Sequence, residues 1–534
     1  MSVFSLEVKE SNPVTSQTVD ELCSLWGVAI NDEEKKDYET LLAVFHDSAD
    51  AMMKLPEYSP TVDLDRFPRQ HVRLPNPEKN TLGAWAWKCE IIDQRGPNGD
   101  LSGKSVALKD NIAVKNVPML MGTDMVKGYV PAIDATVVTR ILEAGGRITG
   151  KAVCENLCHS ATSSSAATGP VHNPYAKGYS SGGSSSGSGA LVANHDVDLA
   201  LGADQGGSVR VPAGWCGIYG LKPTFGLIPY TGCGSNEPTN DHLGPMSRTV
   251  LDNALLLQAI AGNDNIDDRS FATPSPSRIP RYHTRLLEIP NPTDLAGVRI
   301  GVLSEAFTQP ALDSRVVECV RSAIAEFIRL GAIVEDVSIP MHTHGASIWT
   351  AVSKVGGYLA KQNLAFGRRG HAMNDLANLF TPLTQSSWDA AYVSTKNIYL
   401  NGAYAVKHFP SLLGHATNLS RQLRDAYDVA LENYDVLVLP NLPYIATSNF
   451  DKEDKPLEKI RKQVGLTGNT ASFNQSGHPV LAMPIGMLEI QEGPLKGSGV
   501  KLPVSMQVVG KWWGEERVYK VAYAWEKACN WKSR

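Results

Sequence analysis

Gly178-Tyr-Ser-Ser-Gly-Gly-Ser-Ser-Ser-Gly-Ser-Gly189 is followed, after an apolar run, by Asp204-Gln-Gly-Gly-Ser-Val-Arg-Val-Pro212 and then by Gly220-Leu-Lys-Pro-Thr224. Two glycine- and serine-rich turns around one apolar segment are costly to order, because glycine loses the most backbone freedom on folding. Such turns persist in a compact protein where backbone must come very close to another group. With serines at the closest points, the pattern implies hydroxyl chemistry on an acyl group.

Outward from this stretch, short β-rich runs alternate with helical ones. Ser105-Val-Ala-Leu-Lys109 and Asp198-Leu-Ala-Leu-Gly202 read as strands, Thr136 to Gly145 as a helix closed by glycine, and Arg147 to Gly150 as the start of a strand. Strands separated by helices predict a mixed or parallel sheet covered on both faces. A second α/β run follows: strand Val298–Leu303, helix Ser314–Leu330, strand Ala332–Val337, then helix-rich sequence to Asn433 and a strand Asp435–Leu439. The chain is expected to divide into a helical segment at 1–75, a first core part at 76–290, a smaller α/β region at 291–433 and a return to the core at 434–534. In the first segment, Thr18 with Glu21 and Asn31 with Glu34 resemble N-caps. Tyr38, Leu41, Leu42, Phe45 and Met52 form a stripe that must be buried on the chain itself or on a second subunit.

The 534 residues are 43% hydrophobic and 20% charged, an ordinary globular composition. A net charge of −5 supplies no basic field for nucleic acid. Eight cysteines without a short-spaced framework suit reduced thiols. The N-terminal residues lack a secretory pattern, and no apolar run approaches a membrane span. The expectation is a cytoplasmic enzyme whose substrate is neutral or small.

Ser208 directly follows Gln205, Gly206 and Gly207, whose backbone N–H groups could converge on a developing oxyanion. A serine needs a base, and Lys109 at the end of an apolar strand is the candidate, since desolvation there would favour a neutral amine. Ser184, Ser185 and Ser186 could relay the proton, a hydroxyl being both donor and acceptor. Taken alone, the 204–208 segment also fits an ordinary tight turn, and Lys109 a solvated strand end. The Ser/Gly run also fits a flexible linker, although apolar sequence soon resumes. Gly183-Ser-Ser-Ser-Gly187 matches a nucleophile elbow, but 176–181 is not the hydrophobic strand that elbow needs. His342 and His344 read as a solvated loop pair rather than metal ligands, and Cys154, Cys158 and His159 as a packed helix or strand edge.

These motifs, with Ala107-Leu-Lys-Asp-Asn111, resemble the amidase signature family. The resemblance implies a large mixed twisted sheet with helices on both faces, a helical N-terminal segment and a smaller inserted α/β region. It also implies Lys109 as base, Ser184 as a relay in a cis peptide bond and Ser208 as nucleophile. Gln205, Gly206 and Gly207 become the oxyanion hole, and Ser185, Asp204 and Arg210 supporting residues. Ser184 is chosen over Ser180 because it stands 24 positions before Ser208, the family spacing. Ser186 replaces a glycine common in the family, as in the subgroup working beside nitrile hydratase, whose helical N-terminus forms dimers. Asn474, Ser476 and Gly477 resemble a segment walling the site. The implied activity is hydrolysis of a small carboxamide through an acyl-enzyme; hydrolysis of a carbamate ester, or a place in an amidotransferase complex, are the alternatives. No metal or cofactor is implied, and a homodimer is expected.

Overall fold

A computed structural model describes residues 5–364, 368–451 and 453–534. The chain comprises two compact units, Met1–Thr61 and Val62–Arg534. In the first, helices Ser16–Trp26 and Asp32–Met53 form a pair. Asn31 caps the second helix as expected: its Oδ1 accepts from Glu34 N–H at 2.8 Å and its Nδ2 donates to the Glu34 carboxylate at 2.9 Å. The first cap is Thr15 rather than Thr18, because Thr18 occupies the third helical position and its Oγ1 accepts from Thr15 N–H at 3.2 Å. The expected stripe stays largely exposed, with Tyr38 at 49%, Phe45 at 68% and Met52 at 69%.

In the second unit the strands are β1 (Gln70–Arg73), β2 (Trp85–Ile91), β3 (Ser105–Lys109), β4 (Arg147–Ala152), β5 (His172–Asn173), β6 (Ala176–Ser180) and β7 (Leu199–Asp204). They continue as β8 (Tyr219–Lys222), β9 (His242–Ser247), β10 (Arg299–Leu303), β11 (Ile333–Val337), β12 (Val436–Pro440), β13 (Val480–Glu489) and β14 (Lys501–Gly510). Twelve of them build one sheet in the order β1-β2-β4-β3-β7-β9-β8-β13-β14-β12-β10-β11. It is mixed: β3 runs parallel to both β4 and β7, and β10 to both β11 and β12, while the other pairs are antiparallel. The remaining pair, β5 and β6, forms a separate antiparallel ribbon. A strand therefore does precede the serine cluster, but it lies outside the main sheet and cannot form the elbow of a parallel strand.

The side-chain period of two decides what each face carries. Val106 and Leu108 of β3 join the large core with Leu199 and Leu201 of β7, beneath helices Thr136–Glu143 and Val250–Ile260. Ala107 and Ala200 point the other way, into a core of small residues shared with Ala190 and Leu191 of the helix Ser186–Ala193. Alternation sends Lys109 to this second face, where small side chains let the serine-rich helix approach. At β12, Val436 and Val438 face the large core, whereas Leu437 and Leu439 meet helices His342–Lys361 and Leu412–Asn433. Burial on both faces explains why these strands read as continuous apolar runs.

Strand β9 leaves no room for a side chain at Gly244, where an added Cβ would fall 2.1 Å from the Leu221 carbonyl oxygen of β8. Gly244→Ala should therefore destabilise the second unit by about 3 kcal/mol, read as a lower midpoint in denaturant unfolding.

Candidate active site

Parallel strands β3 and β7 end at the same edge of the sheet, with Val106 opposite Leu199 and Leu108 opposite Leu201. That register brings Lys109, the last residue of β3, beside the chain leaving β7 at Asp204. Ligand sites in open α/β sheets form beyond such carboxyl ends. The Lys109 side chain is fully buried, and its Nζ donates to Ser184 Oγ at 2.9 Å and to the Ala203 carbonyl at 3.2 Å. No carboxylate lies within ion-pair distance of it among the described residues. The adjacent Asp110 is engaged elsewhere, taking Lys151 at 3.1 Å and the Leu120 and Met121 amides at 2.9 and 3.1 Å.

Ser184 is likewise fully buried, follows a cis Gly183–Ser184 peptide bond, and its carbonyl accepts from Glu155 N–H at 3.1 Å. Ser185 ties this turn to β7, its Oγ meeting both the N–H and the C=O of Ala203 at 3.2 Å. Its own N–H reaches the Ser208 carbonyl at 3.2 Å, joining the two serine turns. Ser208 is half-buried, and its hydroxyl makes no hydrogen bond to another described residue. The structure thus gathers Lys109, Ser184, Ser185 and Ser208 in one place.

The 205–208 loop is held from several sides. Trp349 Nε1 donates to the Gln205 carbonyl at 2.7 Å and Thr470 Oγ1 to the Gly206 carbonyl at 2.6 Å. Gly207 sits at φ +133°, a conformation open to glycine, and its N–H is given to Asp204 Oδ1 at 2.8 Å. Of the three amides read as an oxyanion hole, Gly207 gives its N–H to the Asp204 carboxylate. The Gln205 and Gly206 amides meet no protein acceptor among the described residues.

Asp204 and Arg210 form the buried centre of this arrangement. Arg210 gives Nε and Nη2 to Asp204 at 3.0 and 2.9 Å, Nη1 to the Thr470 carbonyl and Gln507 at 2.8 Å each, and Nη2 to Asn474 Oδ1 at 2.7 Å. Asn474 Nδ2 returns a bond to Asp204 Oδ1 at 2.9 Å. Burial alone would raise the Asp204 carboxyl, but the Arg210 guanidinium and these amides outweigh it and hold it well below the usual carboxylate range. Of the other two residues expected near Asn474, Ser476 turns to His478 at 3.0 Å and Gly477 ends the short helix Ser472–Ser476, so neither reaches the serines.

Several contributors escaped the sequence reading. Glu155 is buried behind the cis bond, accepting from Ser186 Oγ at 2.8 Å and from Ser165 N–H and Oγ at 2.7 and 2.5 Å. Burial pushes its carboxyl up to about 7 against those hydrogen bonds. Cys154 and Cys158, both free thiols, lie around the short helix Asn156–Cys158 and not on a regular helix or strand edge; a hydrogen bond with the Cys154 thiol draws the Cys158 thiol down against burial. His342 is not a solvated loop residue: it opens the helix His342–Lys361, buried, with Nδ1 accepting from Tyr427 OH at 2.6 Å and Nε2 donating to Asn469 Oδ1 at 3.1 Å. His344 is exposed, and no cluster of metal-ligating side chains occurs among the described residues. Among those residues no helix is long and apolar enough to cross a membrane. Beside the site lies a cavity of about 410 Å³ lined by Met121, Leu157, Ser235, Asn236, Lys361 and Phe380, among others.

The family described as Amidase matches residues 83–519. The chain belongs to this amidase family. It is 38% identical to an enantioselective amidase of Rhodococcus rhodochrous over 82% of this chain and 81% of the relative. It is 31% identical to a glutamyl-tRNA(Gln) amidotransferase subunit of Microcystis aeruginosa over 84% and 89% respectively. The crystal structure of the corresponding subunit from Thermotoga maritima superposes with a TM-score of 0.65 at 26% identity, covering 82% of this chain and 86% of the other. As a member of this family the protein is a hydrolase of amide carbon–nitrogen bonds.

Two measurements probe this geometry. Arg210→Met strands the Asp204 carboxylate in the interior and should lower stability by about 3–5 kcal/mol, measured by denaturant unfolding. Because the folded Glu155 carboxyl lies above its ordinary 4.5, its stabilising contribution is complete below that value and lost as pH rises through about 7. Glu237 and Glu526 shift in the same direction. The melting temperature should therefore fall across this window, and Glu155→Gln should make the fall shallower.

Proposed function

We propose that the protein hydrolyses a small carboxamide to a carboxylate and ammonia or an amine, with Ser208 as nucleophile, Ser184 as relay and Lys109 as base. The observation that carries this reading is the 2.9 Å hydrogen bond from buried Lys109 to Ser184, whose neighbour Ser185 bonds the carbonyl of the half-buried Ser208 at 3.2 Å. The Lys109 amine takes the Ser184 proton as Ser184 takes that of Ser208, and Ser208 Oγ bonds to the substrate carbonyl carbon. The tetrahedral oxyanion is received by the Gln205 and Gly206 amides, with Gly207 positioning the loop through Asp204. The C–N bond then breaks as the same relay returns the proton to the leaving nitrogen. Water repeats the sequence on the acyl-enzyme and frees the carboxylate and Ser208. The Ser208 hydroxyl must rotate toward Ser184 when substrate binds, a tightening common between free and substrate-bound sites. No step calls for a metal or an organic cofactor, and a carbamate ester could enter the same cycle.

The exposed apolar stripe of the first unit, around Tyr38, Phe45 and Met52, supports assembly as a homodimer in the manner of the nitrile-pathway amidases. The similarity to amidotransferase subunits favours a second reading, in which the chain is one component of a larger complex. Light scattering on protein purified from its source distinguishes a dimer of this chain from a hetero-complex.

Ser208→Ala and Lys109→Met should each lower turnover of primary amides by about 10⁴-fold or more while retaining a cooperative melt. Hydroxylamine added to the wild type should divert the acyl group to a hydroxamate, and Ser208→Ala should form none. Full activity in either variant would reject the assignment. Screening primary amides, anilides and carbamates for ammonia or amine release identifies the substrate class.

A further inference from the structure

The cavity beside the site is apolar along Met121, Leu157 and Phe380 and carries three cations, Arg269, Lys361 and Arg368, among its described lining residues. Two are neutralised: Arg269 pairs with Asp267 at 2.8 Å, and Arg368 with Asp267 at 3.2 Å and also with Asp268. Lys361 differs. It is 5% exposed at the end of the helix His342–Lys361, and no described carboxylate lies within ion-pair distance. Its Nζ donates to Asn236 Oδ1 at 3.2 Å and to His159 Nε2 at 3.4 Å, so two neutral acceptors serve a group with three N–H donors. Both acceptors are oriented for this. Asn236 gives its Nδ2 to the Leu157 carbonyl at 2.8 Å, which leaves Oδ1 for the lysine. His159 Nδ1 meets Thr395 Oγ1 at 3.2 Å, and Thr395 itself donates to Asn156 Oδ1 at 2.9 Å, so the ring donates from Nδ1 and accepts at Nε2.

An ammonium removed from water without a counter-charge is costly. Here the missing group would come from the cavity side. The cavity is also joined to the nucleophile loop: Ser235, on its wall, bonds Asp241, whose other oxygen accepts from Gln205 Nε2 at 3.2 Å.

We propose that Lys361, with Asn236 and His159, forms a subsite that receives a carboxylate borne by the substrate at the end remote from the scissile amide. The preferred substrates are then monoamides of dicarboxylic acids or amides of similar acidic character, with the chain between the two groups lying along the Met121–Leu157–Phe380 wall. This rests on Ser208 being the acyl acceptor. Burial brings the Lys361 ammonium down to about 8, and the titratable groups acting on it are Asp241, Cys158 and, in direct contact, His159. Its charge in the free enzyme should therefore fade above that pH.

The test compares a series of ω-carboxy alkanamides with n-alkanamides of matching length. Wild type should favour the acidic series in kcat/KM by at least about tenfold at neutral pH, through KM, at one chain length above the others. Lys361→Met should abolish that ratio while leaving the uncharged series within about twofold, and Lys361→Arg should restore part of it. In the wild type the ratio should decline as pH rises past about 8. The base common to both series cancels from the ratio, so this arm stands even if Lys361→Met fails to fold. Equal loss for both series, or no preference for the carboxylate in the wild type, would overturn the proposal. Calorimetry with Ser208→Ala separates the two readings. If the carboxylated amide binds more tightly than its uncharged match and Lys361→Met removes the difference, the subsite stands even where Ser208→Ala retains turnover. If Ser208→Ala is inactive and shows no such difference, the subsite fails and the hydrolase assignment remains.

Discussion

The Asp204–Arg210 pair is the interaction on which the site depends. A guanidinium and a carboxylate buried together are tolerable only when every remaining donor and acceptor is met. Arg210 meets this condition with partners from distant parts of the chain: Thr470, Asn474 and Gln507. Satisfying one ion pair therefore fixes the end of β7, the segment before β13 and the middle of β14 relative to one another. The same carboxylate draws in the Gly207 and Val209 amides at 2.8 and 3.1 Å, which shapes the loop that carries Ser208. The Gly207 amide is committed to this carboxylate, whereas the Gln205 and Gly206 amides meet no protein acceptor among the described residues.

A second constraint concerns what is kept away from Lys109. Asp110 follows it directly and would be its natural counter-ion. Strand alternation turns that carboxylate to the opposite side, where Lys151 and two backbone amides occupy both oxygens. Lys109 is left with a hydroxyl and a carbonyl, neither of which carries charge. An ion pair at this position would hold the amine protonated and unable to accept a proton. The sequence Lys109-Asp110 thus places acid and base side by side in the chain while the sheet separates them.

The residues gathered at the strand ends were more legible than their surroundings for a definite reason. Lys109, Ser184 and Ser208 lie at a strand end or in tight turns whose glycine and serine content announces close approach, although local pattern left Ser184, Ser185 and Ser186 open and the choice of Ser184 rested on the family spacing. Asp204 and Arg210 bracket the same loop and could be read as a pair. Glu155, Thr470, Gln507 and Trp349 carry no such mark. Each reaches the site by sheet order or helix placement, a long-range property that residue spacing does not encode. His342 shows the opposite error: a His-Thr-His run after a proline suggests a loop, yet the helix starts there and packs the first imidazole on Tyr427 and Phe473. The Thr18 cap failed for a local reason, as two threonines three residues apart each offer a plausible start.

Chain topology divides the labour between reaction and recognition. Lys109 ends β3 and Ser208 follows β7, both in the first part of the main sheet, while Ser184 lies in the turn after the separate β5–β6 ribbon. The cavity wall at Lys361 and Phe380 comes from the helix-rich sequence between β11 and β12, which packs on the sheet after the strands that carry the serines. The strand-end geometry tolerates little displacement, because each group there holds another within hydrogen-bond reach. Lys361 on the cavity wall is held instead by two neutral side chains, Asn236 and His159. Lys361 stands on a different element from Lys109 and Ser208, so the proposed recognition of the acyl chain and the proposed reaction are carried by separate segments of the chain.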